Sequence, residues 1–573
     1  MKHFLIFLVF MAIFAKAENP GFGARINQLG YGQQAKKILI YKDTTNAESV
    51  EFRDLANEQI VLTAPLSPAA VWEFSGESVR KADFSSITKP GLYAAYIGEK
   101  RISDNIFVQN NVYEDLFKAA IKWFYYQRAG MALAPEFAGK WARAAGHPDT
   151  AVYFYPESEK PADWKISSPK GWYDAGDYGK YIVNSGISVF TLLEFYEHFE
   201  TQLKKVSLNI PESKSKTPDI LEEVRWNLDW MLTMQDPADG GVYHKLTTAR
   251  FCGRVMPDAD IAKRYVVMKT TAATFDFAAV MAQAARIYKP FDAKFSQTAL
   301  NAAERAFDWA IKNPVTLFKQ PEGMNTGQYH HQDETTLDER LWAATELFIS
   351  TKKKVYADVI DTTSFASRGP WWGDVNFLAV YRLSDAKNGF KKDLTKAAQD
   401  TLLKLANHLK STTENSAYNL PIVKENFVWG SNSVVANNGI VLLHAYYLTK
   451  DKSYLDAAQR ALDYILGANP LDISYVTGHG NRTTKFPHHR PSDADAIFEA
   501  VPGMLAGGAH DGGQDVGPNP WQCEEYRKLG KPALGYIDDW CSYASNEVAI
   551  NWNAPLAYLA GALHYLNNGI RPK

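Results

Sequence analysis

The chain has 573 residues, more than one hydrophobic core usually organises, so a large domain beside a smaller one is expected. Hydrophobic residues at 46% and charged residues at 22% exclude a disordered or wholly membrane-embedded protein, and a net charge of −2 argues against nucleic acid, which needs a basic surface. Aromatic residues reach 13%, enough to line a groove that stacks on flat, neutral ligand faces, although core filling uses the same residues.

In chain order, Met1-Lys2-His3, the apolar run Phe4 to Phe14 and Ala15-Lys16-Ala17 follow the charged, apolar and small-x-small order of a secretory signal peptide. The apolar stretch is too short to span a bilayer. Residues 1–17 are therefore expected to be removed, leaving a secreted or periplasmic protein with no membrane anchor. Over residues 22–108 short apolar runs, such as Lys37 to Tyr41, Ser49 to Phe52 and Gly91 to Ile97, alternate with polar and Gly/Pro turns. That spacing predicts a small β-sandwich.

After Asn110-Asn111 the period changes, and Leu116, Ala120, Trp123 and Phe124 recur at helical spacing. About twelve helical stretches follow to the end of the chain, among them 182–198, 218–234, 271–288, 335–350, 433–449 and 452–466. Ala303 to Ile311 and Ala458 to Leu466 are alike in pattern, and both run into Asn-Pro, which stops a helix. This count suits an (α/α)6 barrel over 112–573, with an irregular helical domain as the alternative. Between the helices, 143–175, 236–270, 314–334 and 467–545 are long, aromatic and Gly-rich, and loops of that length usually carry function. Cys252, Cys523 and Cys541 are too few for a disulfide framework and have no zinc-site spacing; Cys523 and Cys541 are a candidate pair that spacing alone does not decide.

Three segments carry chemistry. Gly171-Trp-Tyr-Asp-Ala-Gly-Asp-Tyr-Gly-Lys-Tyr181 sets Asp174 and Asp177 three apart ahead of a helix. Such a pair can raise each other's proton affinity or hold one water between them, and it can equally cap a helix or bind calcium. Tyr536 to Pro555 brings Glu547 to the border between a loop and the last apolar helix, beside Tyr543 and Trp552. Burial there would keep the carboxyl protonated, the helix dipole would oppose that, and a capping box is the plain alternative. Gly478 to Arg490 ends in Pro487-His488-His489-Arg490, a set of groups that can hold sugar hydroxyls or a carboxylate. Metal binding is the rival, but neighbouring His side chains in an extended loop point apart.

Together these segments resemble the glycoside hydrolase family 9 cellulases in the branch with an N-terminal immunoglobulin-like domain. Gly480-x-Arg482 with Pro487-His488-x-Arg490 is similar to one family signature. Tyr536-x-Asp538 with Tyr543, Glu547 and Asn553-Ala554 is similar to the other. Trp172 to Asp177 resembles the catalytic-base segment, and Asn27-Gln-Leu-Gly-Tyr31 resembles the start of the immunoglobulin-like domain. The resemblance implies a hydrolase inverting β-1,4-glucosidic bonds in cellulose, cellodextrins or related glucans. Asp177 would be the base, Asp174 would help hold the water, and Glu547 would be the acid. His488 and Arg490 would bind sugar at the cleavage point, with Asp538 ordering the loop. Tyr543, Tyr243, His244 and Trp429 are further candidates for the cleft wall. Inversion requires the two carboxyls to stand roughly 6.5–9.5 Å apart, leaving room for water.

No cofactor is implied for the reaction itself. Many relatives carry zinc on two Cys and two His; here the matching text reads Arg128-Ala-Gly130, Ala145-Gly-His147 and Trp172-Tyr173, so zinc is not expected. Asp338-Glu339 resembles part of a calcium site, with an acidic helix N-terminus as the alternative. The expected partner is a β-1,4-glucan or cello-oligosaccharide. An exo-acting cellodextrinase or cellobiohydrolase, or a β-1,4-glucosaminide hydrolase, is the alternative within the family, because the 491–534 segment can close one end of the cleft. A carbohydrate-binding protein without catalysis is the rival from another class, and the three carboxyls speak against it.

Overall fold

Alternation builds the first domain. Ser49–Asp54 buries every second side chain, as a strand with one face on a core does. The computed structural model describes residues 22–573 apart from 43–44, 157–159, 162 and 331–334, so the expected leader at 1–17 lies outside the described residues. One antiparallel sheet has the order Ala24–Arg25, Ile38–Lys42, Glu77–Asp83, Ala70–Trp72. The other runs Gln59–Pro65, Ser49–Asp54, Gly91–Ile97, Lys100–Arg101, with Ile106–Val108 also paired to Gly91–Ile97. Leu39, Val50, Phe52, Phe84 and Ile106 fill the space between them, and the Phe52 and Phe84 rings stack 4.7 Å apart.

The helices that follow pair up, an outer one and then an inner one. The pairs are α1 (Glu114–Tyr126) with α2 (Ile182–His198), α3 (Asp219–Thr233) with α4 (Thr271–Tyr288), and α5 (Ala293–Lys312) with α6 (Leu337–Thr351). Then come α7 (Lys354–Ala357) with α8 (Asn376–Ser384), α9 (Lys392–Asn415) with α10 (Ser431–Thr449), and α11 (Lys452–Ile465) with α12 (Ile550–Asn567). Sequence separates the two rings. Outer α9 buries Thr395, Ala398, Leu402, Leu405, Ala406, Leu409 and Thr413, a single stripe at helical spacing. Inner α2 is buried without a break from Ile182 to Tyr196, as a helix surrounded by others must be. Contacts run from α12 to α2, α4, α6 and α8 in turn, and α10 packs on α12; α9 bridges α8 and α10 to close the ring.

Each outer helix returns the chain, so the inner helices run the same way and the segments entering them gather at one end of the barrel. A small sheet lies within those segments, in the order Lys165–Ile166, Val152–Phe154, Arg264–Val266, Lys245–Thr248, Lys180–Tyr181. The sequence reads these stretches as loops, because strands of two to four residues are too brief to show alternation. Cys523 and Cys541, left open by spacing, are joined as a disulfide.

Candidate active site

The segment entering α2 is a tight hairpin. The Asp174 amide donates to the Gly179 carbonyl at 3.0 Å, and the Asp174 carbonyl accepts from the Ile550 amide at 2.8 Å, which ties this hairpin to the first turn of α12. Asp177 Oδ2 accepts from the Gly179 amide at 2.9 Å and from the Tyr181 hydroxyl at 3.3 Å. Asp174 is more deeply held: Asn184 Nδ2 donates to Oδ1 at 2.7 Å, and the Tyr329 hydroxyl donates to Oδ2 at 2.5 Å. Burial, and then the charge of Asp177, push Asp174 up to about 7.

Glu547 enters from the segment before α12. His488 and Glu547 are bridged as parallel neighbours: the His488 amide donates to the Asn546 carbonyl at 2.9 Å, and the Gly507 amide donates to the Glu547 carbonyl at 2.8 Å. Gly176 joins the three segments. Its amide donates to the Glu547 carboxyl, and its carbonyl accepts from the Arg490 amide at 3.2 Å and from Arg490 Nη1 at 2.8 Å. A Cβ at this position would stand 2.0 Å from the His488 carbonyl oxygen, so only glycine lets the strands approach this closely. Burial first, and then the charge of Asp177, raise the Glu547 carboxyl well above its ordinary range, against the pull of Arg490. The first helical residue is Ile550, three positions on, so desolvation outweighs the helix dipole that the sequence sets against it.

His488 is buried, and its Nδ1 donates to the Trp540 carbonyl at 2.7 Å, which leaves Nε2 as the acceptor of a neutral ring. Burial and Arg490 hold that ring down to about 3. Asp538 accepts from the Lys485 and Phe486 amides at 2.8 and 2.9 Å and from Asn546 Nδ2 at 3.2 Å, which locks the two signature segments together. Trp429, just ahead of α10, is partly exposed with its ring 5.4 Å from that of Tyr543. Trp371 and Trp372 stand ahead of α8, with Trp372 against Tyr329.

Two residues nominated for the cleft wall are bonded to neighbouring loops. The Tyr243 hydroxyl donates to Asp236 Oδ2 at 3.1 Å. The His244 ring bonds the Gln328 carbonyl at 2.7 Å and stacks on Phe318 at 4.1 Å. Both side chains are buried just ahead of strand Lys245–Thr248, where the polar atoms of the neighbouring loops need partners.

Of the segments compared for zinc, Arg128 is paired to Glu223 at 3.0 Å and Glu212 at 2.9 Å, and His147 is bonded to the Tyr173 hydroxyl at 2.8 Å and to Asp260 at 3.3 Å. Asp338 and Glu339 sit in the first turn of α6, where burial and Glu339 push Asp338 up to about 9. Among the described residues no three His, Cys, Asp or Glu side chains are grouped to hold a metal ion. Tyr181, Gly176, Asn184 and Tyr329 were not singled out from sequence. Tyr181 ends the hairpin motif itself, and Tyr329 lies in the long 314–334 loop already marked as functional.

A helical barrel that gathers a protonated carboxyl, an aspartate pair and exposed indole rings at one end has the parts of an enzyme that cuts glycosidic bonds by acid and base. The family model described as "Glycosyl hydrolase family 9" matches residues 113–560, and that for "Cellulase N-terminal ig-like domain" matches 23–101. The chain belongs to glycosyl hydrolase family 9. It is 39% identical over 572 residues to the xyloglucan-specific endo-β-1,4-glucanase BoGH9A of Bacteroides ovatus, covering 96% of this chain and 94% of that protein. It is 33% identical over 559 residues to endoglucanase D of Acetivibrio thermocellus, covering 96% and 85%. Among solved structures, Bacteroides ovatus GH9 superposes with a TM-score of 0.87 at 38% identity, covering 95% of this chain and 99% of that one.

Proposed function

We propose that the protein hydrolyses internal β-1,4-glucosidic bonds of glucans with inversion. The observation that carries the reading is the contrast between the two sides of Gly176: Glu547 is held protonated, while Asp177 accepts two hydrogen bonds on one carboxylate oxygen. Those two bonds fix the orientation of the Asp177 side chain. Glu547 gives its proton to the leaving glycosidic oxygen. Asp177 takes a proton from the attacking water, and Asp174, held from behind by Tyr329 and Asn184, shares that water. His488 and Arg490 position the sugar at the cleavage point, and Trp429 with Tyr543 forms one wall for its faces. Acid and base are both side chains, so no metal enters the chemistry.

The test is a time course on cellohexaose with anomer detection. Internal cuts giving mixed short products, with the α-anomer formed first, are expected; cellobiose released alone from one end would establish the exo reading. Xyloglucan is the second substrate to include, because the 39% identical relative is specific for it. Export is supported by the leader-like residues 1–17 and by the Cys523–Cys541 disulfide, which persists in an oxidising compartment. For calcium, thermal melts with added calcium and with chelator should coincide, the Asp338 and Glu339 carboxyls sharing protons instead. A rise of several degrees with calcium would mark a cation site there.

A further inference from the structure

Lys245 sits fully buried at the start of strand Lys245–Thr248, directly across from Tyr181 in the antiparallel pair with Lys180–Tyr181. Its ammonium donates to neutral groups of one loop: the Gly327 carbonyl at 2.6 Å and Gln320 Oε1 at 3.0 Å. It makes no ion pair with a carboxylate among the described residues, and the charge it feels is that of Asp177. The same peptide unit region that it grips reaches the acids. The Gly327 amide donates to the Tyr181 hydroxyl at 3.1 Å, the Tyr181 hydroxyl donates to Asp177 Oδ2 at 3.3 Å, and two residues on the Tyr329 hydroxyl donates to Asp174 Oδ2. The Tyr181 and Tyr329 rings meet edge to face at 4.7 Å, so the two links cannot shift independently.

We propose that Lys245 is a positioning residue for the base: by pinning the 320–329 loop it aligns Tyr181 and Tyr329 on the two aspartates, and it sets its buried charge where it acts on Asp177. The inference rests on the reading of Asp177 as the base. The bonds from Gly179 and Tyr181 both fall on Oδ2, which leaves Oδ1 to take the proton of the attacking water. An uncompensated buried cation is costly, and one placed where its field reaches the base has a use that a cation bonded only for stability lacks. Lys245 is itself held down to about 7 by burial, against the pull of Asp177, so below that pH it carries the charge the proposal needs.

Asp177 is faced by Asp174 on its own hairpin, Glu547 from the segment before α12, Tyr181 and Lys245 from the paired strands, Tyr329 from the 320–329 loop and Cys252 from the loop beyond Thr248. Arg490 lies behind Gly176. Of these, Lys245 carries the positive charge coupled to Asp177, while Arg490 acts on Glu547.

The experiment is the pH profile of kcat/KM for Lys245→Met and Tyr181→Phe on cellohexaose, with Asp177→Asn as control. Expected are a fall in kcat of at least tenfold, KM within about twofold, and an acid limb displaced upward by about one pH unit in Lys245→Met and in the same direction in Tyr181→Phe. A folded Lys245→Met whose acid limb stays in place overturns the proposal, whatever happens to its rate. Should that variant fail to fold, the limb of Tyr181→Phe decides in the same way. An inactive Asp177→Asn with unmoved limbs rejects the role of Lys245 alone, whereas an active Asp177→Asn rejects the base itself and with it both readings.

Discussion

At the scale of single residues, the acid is the group on which the chemistry turns, and its protonation has a thermodynamic signature apart from rate. Glu547 has a folded pKa raised well above its unfolded value of about 4.3. Below that unfolded value both states are protonated and the carboxyl costs nothing. As pH rises through it, folding must take up a proton, and stability is lost continuously until the folded pKa is reached. Each unit of displacement is worth about 1.4 kcal/mol. Glu547→Gln, which does not titrate, should therefore be inactive on cellodextrins and melt higher than the parent at pH 7, with the gap closing toward pH 4. Equal melting temperatures at pH 7 would mean that Glu547 is ionised in the folded protein and unable to serve as the acid. The alkaline limb of the parent's activity reports the same proton, since the acid is lost once Glu547 ionises.

At the scale of elements, the helices were legible because their periodicity is long. The predicted 182–198 and 271–288 coincide with α2 and α4, and 433–449 is α10 begun two residues early by Ser431. Two features escaped for physical reasons. The fourth outer helix has shrunk to the single turn of α7, too short to show a period. The five-stranded sheet is assembled from distant pieces, and pairing of that kind leaves no local pattern. For the candidate site the same division holds: the carboxyls and their motifs could be read from the chain, but Tyr329 and Gly327 meet the aspartates only through a loop that folds back from far along the sequence, and Lys245 only through a strand paired with Tyr181. The 510–526 segment is a further element of this kind. It reaches the cleft wall through the Tyr543 hydroxyl, which donates to the Gln514 carbonyl, and through the Asp511 amide, which donates to the Phe427 carbonyl at 3.1 Å. The disulfide closes 18 residues of chain beside it, a restraint of roughly 3 kcal/mol on the unlinked loop. Cys523→Ser with Cys541→Ser should leave the barrel folded, expose this loop to limited proteolysis, and raise KM for long cellodextrins more than kcat falls. Unchanged proteolysis would show that the loop is held by its hydrogen bonds alone.

At the scale of the whole molecule, the sandwich is built into the barrel wall that carries the site. Trp72 leaves its own sheet to pack on Tyr418 at 4.5 Å and on Phe427, the residue two positions before Trp429. Asn27 Nδ2 donates to Asp463 Oδ1 at 2.9 Å and to the Tyr113 hydroxyl at 3.1 Å. The side chain of Gln28 is the more telling contact. Its Nε2 donates to the Asp472 carbonyl at 3.0 Å, while its Oε1 accepts from the Asn481 and Arg482 amides at 2.9 and 2.8 Å. One buried carboxamide thus satisfies three backbone groups of the loop that continues to His488 and Arg490. Gln28→Ala removes all three bonds at once, and each buried group left without a partner costs about 1–3 kcal/mol. The loop is expected to respond by opening toward water, which displaces His488 from the Glu547 strand to which it is bridged. Gln28→Ala should therefore lower kcat/KM severalfold along with the melting temperature. Glu99→Ala, on the exposed far face of the sandwich, should alter neither. A Gln28→Ala protein that melts lower yet turns over cellohexaose at the parental rate would show that the sandwich supports the barrel without shaping the loop; lost activity at an unchanged melting temperature would place its effect in the loop alone.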